Sequence, residues 1–387
     1  MKAGPDVDAL IIGARVAGAT LATLLGEAGH RVLLVDRGTF PSPTLSTHYF
    51  RGGRAVGVLQ RLGVLDEVLS LGPPPLVHNY THAFGDEQPT VSPATAPGEI
   101  GYGLSVRRAP LDHLLLRRAG RAPGVEVLEA TRAVELLWDE GRVVGAVLKT
   151  PGCERRVSAR IVVGADGRQS FVARAVDACV EEWDPAARGI YYQYVSGWTA
   201  PGGGTPDGAE FARVDDEMGY VFPSDGGTTC IALSANLADY AWLRRAREER
   251  FLDRIMARPG LAPRLAAAEP VGPLLGCGPE GNYVRVPRGP GWALVGDAGL
   301  HQDPWSGHGI DCATVHATFL AEALIEWLGG RASETEALSA YHRRRNEQAL
   351  EIYRRTVTLG RDLRQLAQDA APSSAAAAAT LPSAPGH

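Results

Sequence analysis

The chain has 387 residues, 45% of them hydrophobic and 21% charged, which are the proportions of a globular protein and exclude a disordered or fibrous one. That length exceeds the usual single domain, so two lobes or one elaborated domain are expected. A net charge of −5, without a dense run of Lys and Arg among aromatics, gives no indication of a nucleic-acid surface. Five cysteines, none in a CxxC pair, point to reduced thiols in a cytoplasmic protein and against a zinc or disulfide framework. The first apolar run, Ala9 to Ile12, is too short for a signal-peptide core or a membrane span.

Residues 8 to 36 read as strand, glycine turn, helix and strand, a βαβ unit whose uninterrupted apolar runs suit strands buried on both faces. Val56, Leu59 and Leu62 keep helical spacing up to a stop at Gly63, and a second helix is expected over about Pro110 to Ala119. Residues 125 to 163 suggest a small β-meander turning at Asp139 to Arg142. Strand-like runs at Ile190 to Trp198, Met218 to Pro223 and Thr228 to Ser234 precede an amphipathic helix over about Leu237 to Met256, together an inserted β-rich lobe. A buried strand at Trp292 to Val295 follows, then helices over about 309 to 328 and 333 to 369. Arg343, Arg344 and Arg345, with Glu347 and Glu351 nearby, read as a solvated helix face. The Ala, Ser and Pro tail from Ala370 is expected to be disordered.

Three glycine and acid motifs carry the chemistry. The first is Gly13-Ala14-Arg15-Val16-Ala17-Gly18, with Asp36 closing the second strand. Glycine lets the turn bend and the helix pack close, the helix N-terminus offers N–H groups to a pyrophosphate, and Asp36 is placed to accept from a ribose. Arg15 departs from this fingerprint, occupying the position of its middle glycine. The second motif is Gly164-Ala165-Asp166-Gly167-Arg168-Gln169-Ser170. The third is Leu294-Val295-Gly296-Asp297-Ala298-Gly299, followed by Pro304, Gly307 and Gly309. Each of these two sets a carboxylate at the C-terminal end of a buried strand, where open α/β sheets bind ligands.

In this combination the chain resembles, over about residues 7 to 330, the FAD-dependent hydroxylases of the para-hydroxybenzoate hydroxylase type and their relatives, the geranylgeranyl reductases and flavin halogenases. The resemblance implies an α/β fold with an inserted α+β lobe: a Rossmann-like FAD-binding domain and a mixed β-sheet substrate domain. The first would take residues 1–72, 101–172 and 284–330, and the second residues 73–100 and 173–283. C-terminal helices would span 331–369 and a tail 370–387. Gly13, Arg15, Ala17 and Gly18 would face the FAD pyrophosphate, and Asp36 with Arg37 the adenosine ribose. Arg108 and Arg51 would help hold the cofactor, and Asp166 would support the dinucleotide turn. Gly296 and Asp297 would meet the ribityl or pyrophosphate region, and Pro304, Gly307, His308, Gly309 and Ile310 the flavin. The family usually has Gln at the position of His308.

A single nucleotide fingerprint without CxxC favours the hydroxylase group, in which NADH or NADPH would reduce FAD and dioxygen would form a flavin hydroperoxide that hydroxylates or epoxidises a hydrophobic or aromatic small molecule, as in natural-product biosynthesis. An FAD-dependent reductase or dehydrogenase is the alternative. A halogenase, which would need a lysine near the oxidant channel, or a flavin-binding protein without turnover is the lesser one. Candidate catalytic residues are His301, Trp305, His48 and Tyr220, though ordinary packing accounts equally for His48 and Tyr220. Tyr191, Tyr192, Tyr194, Phe211 and Phe222 are candidates for the substrate cavity or for core. No metal, nucleic acid or stable membrane insertion is expected, and the chain reads as a cytoplasmic monomer or homodimer.

Overall fold

A computed structural model describes residues 5–46, 49–83 and 88–366. Within them, strands Trp292–Leu294, Cys153–Gly164, Val7–Ile12, Val32–Val35 and Val125–Leu128 lie side by side in that order, every pair parallel. Ala9, Leu10, Ile11, Leu34, Val162 and Val163 have no exposed surface. Such strands cannot alternate apolar with polar, because both faces are covered, and this is why they read as continuous apolar runs. Helices Val16–Glu27, Arg108–Gly120 and Gly309–Leu328 pack into the core on one face. The antiparallel hairpin Arg132–Asp139 and Arg142–Thr150 continues into Cys153–Gly164 and covers the other. Val125–Leu128, read from sequence as the start of the meander, instead extends the parallel sheet beside Val32–Val35.

A second sheet has seven strands, in the order Glu269–Cys277, Arg188–Ser196, Thr229–Asn236, Glu217–Pro223, Gly208–Val214, His78–His82 and Thr90–Pro93. Its alternation sorts side chains by face. Tyr191, Val195 and Leu233 pack under the helices around 237–266. Tyr192, Tyr220, Phe222 and Cys230 point the other way, toward Tyr49, Trp305 and Leu363. Tyr191 therefore stands apart from the other cavity candidates and stacks on Tyr240 with ring centroids 4.7 Å apart. On the opposite face, Tyr49 stacks on Phe222 at 5.0 Å, and Phe211 meets Tyr220 and Phe222 edge-on at 6.1 and 5.9 Å.

Three local expectations are corrected. The helix expected over Leu237 to Met256 is broken, into Leu237–Leu243 and Arg247–Met256, because Ala246 leaves helical geometry at φ −150° and ψ 64°. The last long helix is Glu334–Gly360, held at its start by a Ser333 and Glu336 capping box, and it ends before 369. Arg345 does not belong to a solvated face. It is 1% exposed and donates to the Arg285 carbonyl at 2.8 Å, whereas its neighbour Arg344 pairs with Glu322 at the surface. No helix among the described residues is long and apolar enough to cross a membrane. The tail from Ala370 lies outside the described residues.

Candidate cofactor and active site

Gly13 adopts φ +105°, which only glycine takes without strain. A Cβ on Gly13 would lie 2.3 Å from the Ala165 carbonyl oxygen, and one on Gly18 would lie 1.8 Å from that of Gly13. The fingerprint glycines are thus fixed by backbone-to-backbone packing between the first and second motifs. Arg15 stands at φ −83° and ψ −162°, an extended backbone open to any residue, so this turn needs no glycine at its middle position. No side chain caps the N-terminus of Val16–Glu27, which leaves the helix N–H groups and the positive end of its dipole for an anion. Asp36 accepts from the Ala14 and Gly38 N–H groups, both at 2.8 Å, and so ties the second strand to the glycine turn. Arg37 beside it is exposed. Ala17 sits against the third motif, where a Cβ on Gly296 would lie 3.1 Å from the Ala17 methyl.

Two buried carboxylates organise the arginines: Asp112, which sequence reasoning passed over, and Asp311, which closes the turn from Gly307 expected to face the flavin. Asp112, with no exposed surface, accepts from Arg15 Nη1 at 2.6 Å and from Arg108 Nε at 2.9 Å. Its signal was present as the i, i+4 pair Arg108 and Asp112 on one helix face. Asp311, equally buried, accepts from the Arg51 backbone N–H at 3.1 Å and from Arg51 Nη1 at 2.8 Å. Arg51 also donates to the Gly307 carbonyl at 2.9 Å. It therefore straps the 306–311 turn from behind.

Asp166 is spent locally. It accepts from Ser170 Oγ at 2.5 Å and the Phe171 N–H at 2.7 Å, capping the short Phe171–Ala175 helix, while burial pushes its carboxyl above the ordinary range. Asp297 behaves oppositely. Burial works against its ionisation, yet the His301 hydrogen bond and the Arg168 and Arg108 charges hold it below the ordinary range. His301 Nδ1 is 3.5 Å from the Asp297 carboxylate, and its Nε2, like Gln302 Oε1, is buried with no partner among the described residues. Asp303, also missed, is 3% exposed and pushed up to about 6 by burial.

The Tyr220 hydroxyl donates to the Trp305 carbonyl at 2.6 Å, and the Trp305 indole N–H donates to the Thr356 carbonyl at 3.0 Å. Both polar atoms hold the Pro304–Ser306 turn between the second sheet and the last long helix. His48 lies outside the described residues. At the start of Gly309–Leu328, His308 Nδ1 lies 3.2 Å from Arg51 Nη1 and 3.4 Å from Arg54 Nη1. A nitrogen facing two guanidiniums must accept, so the proton sits on Nε2 and His308 presents a donor. The amide of the Gln usual at this position also offers a donor. Ile310 follows, 9% exposed.

Burial, aided by Arg51 and Arg54, pushes His308 down to about 3, and burial does the same to His316 against its hydrogen bond with Gln348. The unfolded chain binds these protons near pH 6.5 and the native state only far lower. Stability from both histidines is therefore complete above 6.5 and lost as pH falls through that value toward 3. Urea midpoints that fall steadily below pH 6.5, less steeply once both are replaced by Gln, are expected. A flat profile contradicts this.

An uncapped helix N-terminus over a glycine cradle, an acid at the end of the second strand, and paired arginines fit a dinucleotide diphosphate, and a second sheet closes over the loop after the third motif. With the comparisons that follow, these features mark an FAD-dependent oxidoreductase. Residues 6–198 match the family model described as FAD binding domain, and the chain belongs to that family. It is 27% identical over 367 residues, covering 87% of this chain and 82% of the relative, to digeranylgeranylglycerophospholipid reductase 2 of Methanothermobacter thermautotrophicus. Among solved structures it is similar to the myxobacterial chondrochloren halogenase CndH, at a TM-score of 0.80 and 26% identity over 90% of this chain and 81% of that one. It also shares its fold with PqsL of Pseudomonas aeruginosa, a probable FAD-dependent monooxygenase, at a TM-score of 0.76 and 24% identity over 92% of this chain and 94% of that one.

Proposed function

We propose that the protein is an NAD(P)H-using, FAD-dependent monooxygenase acting on a hydrophobic or aromatic small molecule. Gly13, Ala17, Gly18, Asp36, Arg37 and Arg108 would hold the adenosine and diphosphate. Gly296, Asp297, Pro304 and the Gly307 to Ile310 turn, braced by Arg51, would hold the flavin. FAD bound there supplies two-electron chemistry and, once reduced by NADH or NADPH, activation of dioxygen for transfer of one oxygen atom. The chain's own contribution is to orient the substrate and keep water out. The anchored Trp305 and the wall of Tyr49, Tyr192, Tyr220 and Phe222 suit that task.

The observation that carries the reading is the pair of orphaned buried acceptors, His301 Nε2 and Gln302 Oε1, beside Asp297. Buried polar atoms are otherwise almost always partnered. With Asp297 accepting from Nδ1–H, His301 Nε2 is a bare base for a substrate hydroxyl. His301→Ala is expected to lower turnover by about a hundredfold or more. An unchanged rate would rule that role out.

A reductase acting on a carbon–carbon double bond is the second reading, favoured by the likeness to the archaeal reductase across most of both chains. Turnover under ¹⁸O-labelled dioxygen separates the two. Label in the product is expected of the monooxygenase, and anaerobic saturation of a double bond would establish the reductase instead.

A further inference from the structure

Between Asp36 and Ser46 the chain leaves the second strand without regular structure. This segment starts at the acid of the glycine fingerprint and ends at the second sheet, where the Ser46 N–H lies 3.4 Å from the Tyr192 hydroxyl. Near its start, the Phe40 N–H donates to Glu129 at 2.6 Å. Its middle is held by Arg15. The guanidinium donates through Nη2 to Ser42 Oγ at 3.2 Å and the Pro43 carbonyl at 3.5 Å, through Nη1 to the Ser42 carbonyl at 3.4 Å, and lies 5.3 Å over the Phe40 ring. On its other side the same guanidinium is fixed by Asp112, which shares its carboxylate with Arg108.

We propose that Arg15 is a positioning residue for the cofactor: it fastens the 36–46 segment to Asp112 as a strap across the adenosine side of the FAD site, and so slows FAD release. The usual fingerprint trades this fastening for a bare glycine. Here the extended backbone at residue 15 needs no glycine, and the position carries a side chain long enough to reach both the segment and the Arg108–Asp112 helix face. Asp112, with no exposed surface and a second arginine on it, fixes where that side chain goes. Asp112 and Ser42 thereby join the cofactor site, although neither belongs to a fingerprint.

The test is Arg15→Gly in the holoenzyme, which restores the usual motif. If residue 15 mattered only through backbone approach to the phosphates, FAD would be held as well or more tightly. The strap predicts release faster by about tenfold or more, as for losing hydrogen bonds to a charged group. It also predicts faster proteolytic cleavage within 36–46 of the FAD-loaded protein. Arg15→Lys, which keeps the charge on Asp112 but cannot fork to Ser42, should fall between. Ser42→Ala, milder for folding, should raise release and cleavage in the same direction by a smaller factor. Release at the wild-type rate or slower overturns the proposal. So does faster release with cleavage unchanged, since that would make Arg15 a direct phosphate ligand.

Discussion

Asp311→Ala is expected to destabilise the protein by about 3 kcal/mol and to abolish stoichiometric FAD retention. The carboxylate has no exposed surface and bonds the Arg51 backbone N–H at 3.1 Å, the Arg51 guanidinium at 2.8 Å and the Ala55 N–H at 3.3 Å. Breaking a buried pair by removing one partner typically costs about 3–5 kcal/mol, because the charge left behind stays buried without compensation. The low end applies here, since the Arg51 side chain keeps 28% of its surface exposed. Arg51 also holds the Gly307 carbonyl and faces His308. Its release would let the start of the Gly309–Leu328 helix shift, and His308 would lose the neighbour that fixes its tautomer. Urea unfolding and the ratio of flavin to protein absorbance measure both effects. Wild-type FAD content in Asp311→Ala would show that the strap behind this turn is dispensable.

The second large effect is expected of Gly18→Ala. A methyl there would sit 1.8 Å from the Gly13 carbonyl oxygen and 3.2 Å from the Ala165 methyl. The atom it strikes is backbone, already committed to the cradle between two parallel strands, so the helix must retreat from the sheet. Overpacking of this kind costs about 3 kcal/mol at the upper end of its usual range, and it moves the helix N-terminus away from the phosphate position. FAD binding should be lost even where the apoprotein still folds. Gly57→Ala is the control, because its Cβ would make only an ordinary 3.5 Å contact inside a helix. Equal FAD affinity in both variants would contradict the account of the glycine turn.

The parallel sheet was legible because strands buried on both faces must be continuously apolar, and Ala9 to Ile12, Val32 to Val35 and Ile161 to Val163 are. The three motifs were legible because glycine and acid at strand ends answer to local backbone geometry. What sequence concealed was pairing at a distance. Nothing in Arg343 to Arg345 tells which arginine turns inward; the Arg285 and Gly299 carbonyls and Glu181 select Arg345. Asp311 stands in a motif already recognised, yet its partner Arg51 lies 260 residues away. Tyr220 and Trp305 looked like catalytic candidates because type and neighbourhood suit that role, whereas the engagement of their polar atoms with the Trp305 and Thr356 carbonyls is a tertiary fact. Arg15 departs from the usual fingerprint at a position expected to face the pyrophosphate, and its bonds to Asp112 and Ser42 are visible only in the fold.

Reconstituting the purified protein with FAD, titrating it anaerobically with NADH and NADPH, and then admitting dioxygen puts an FAD-dependent oxidoreductase reduced by a nicotinamide cofactor to the test. A yellow protein with one FAD per chain is expected, whose visible absorbance bleaches with one of the two nicotinamides and returns with dioxygen. A colourless protein that takes up no FAD would contradict that assignment.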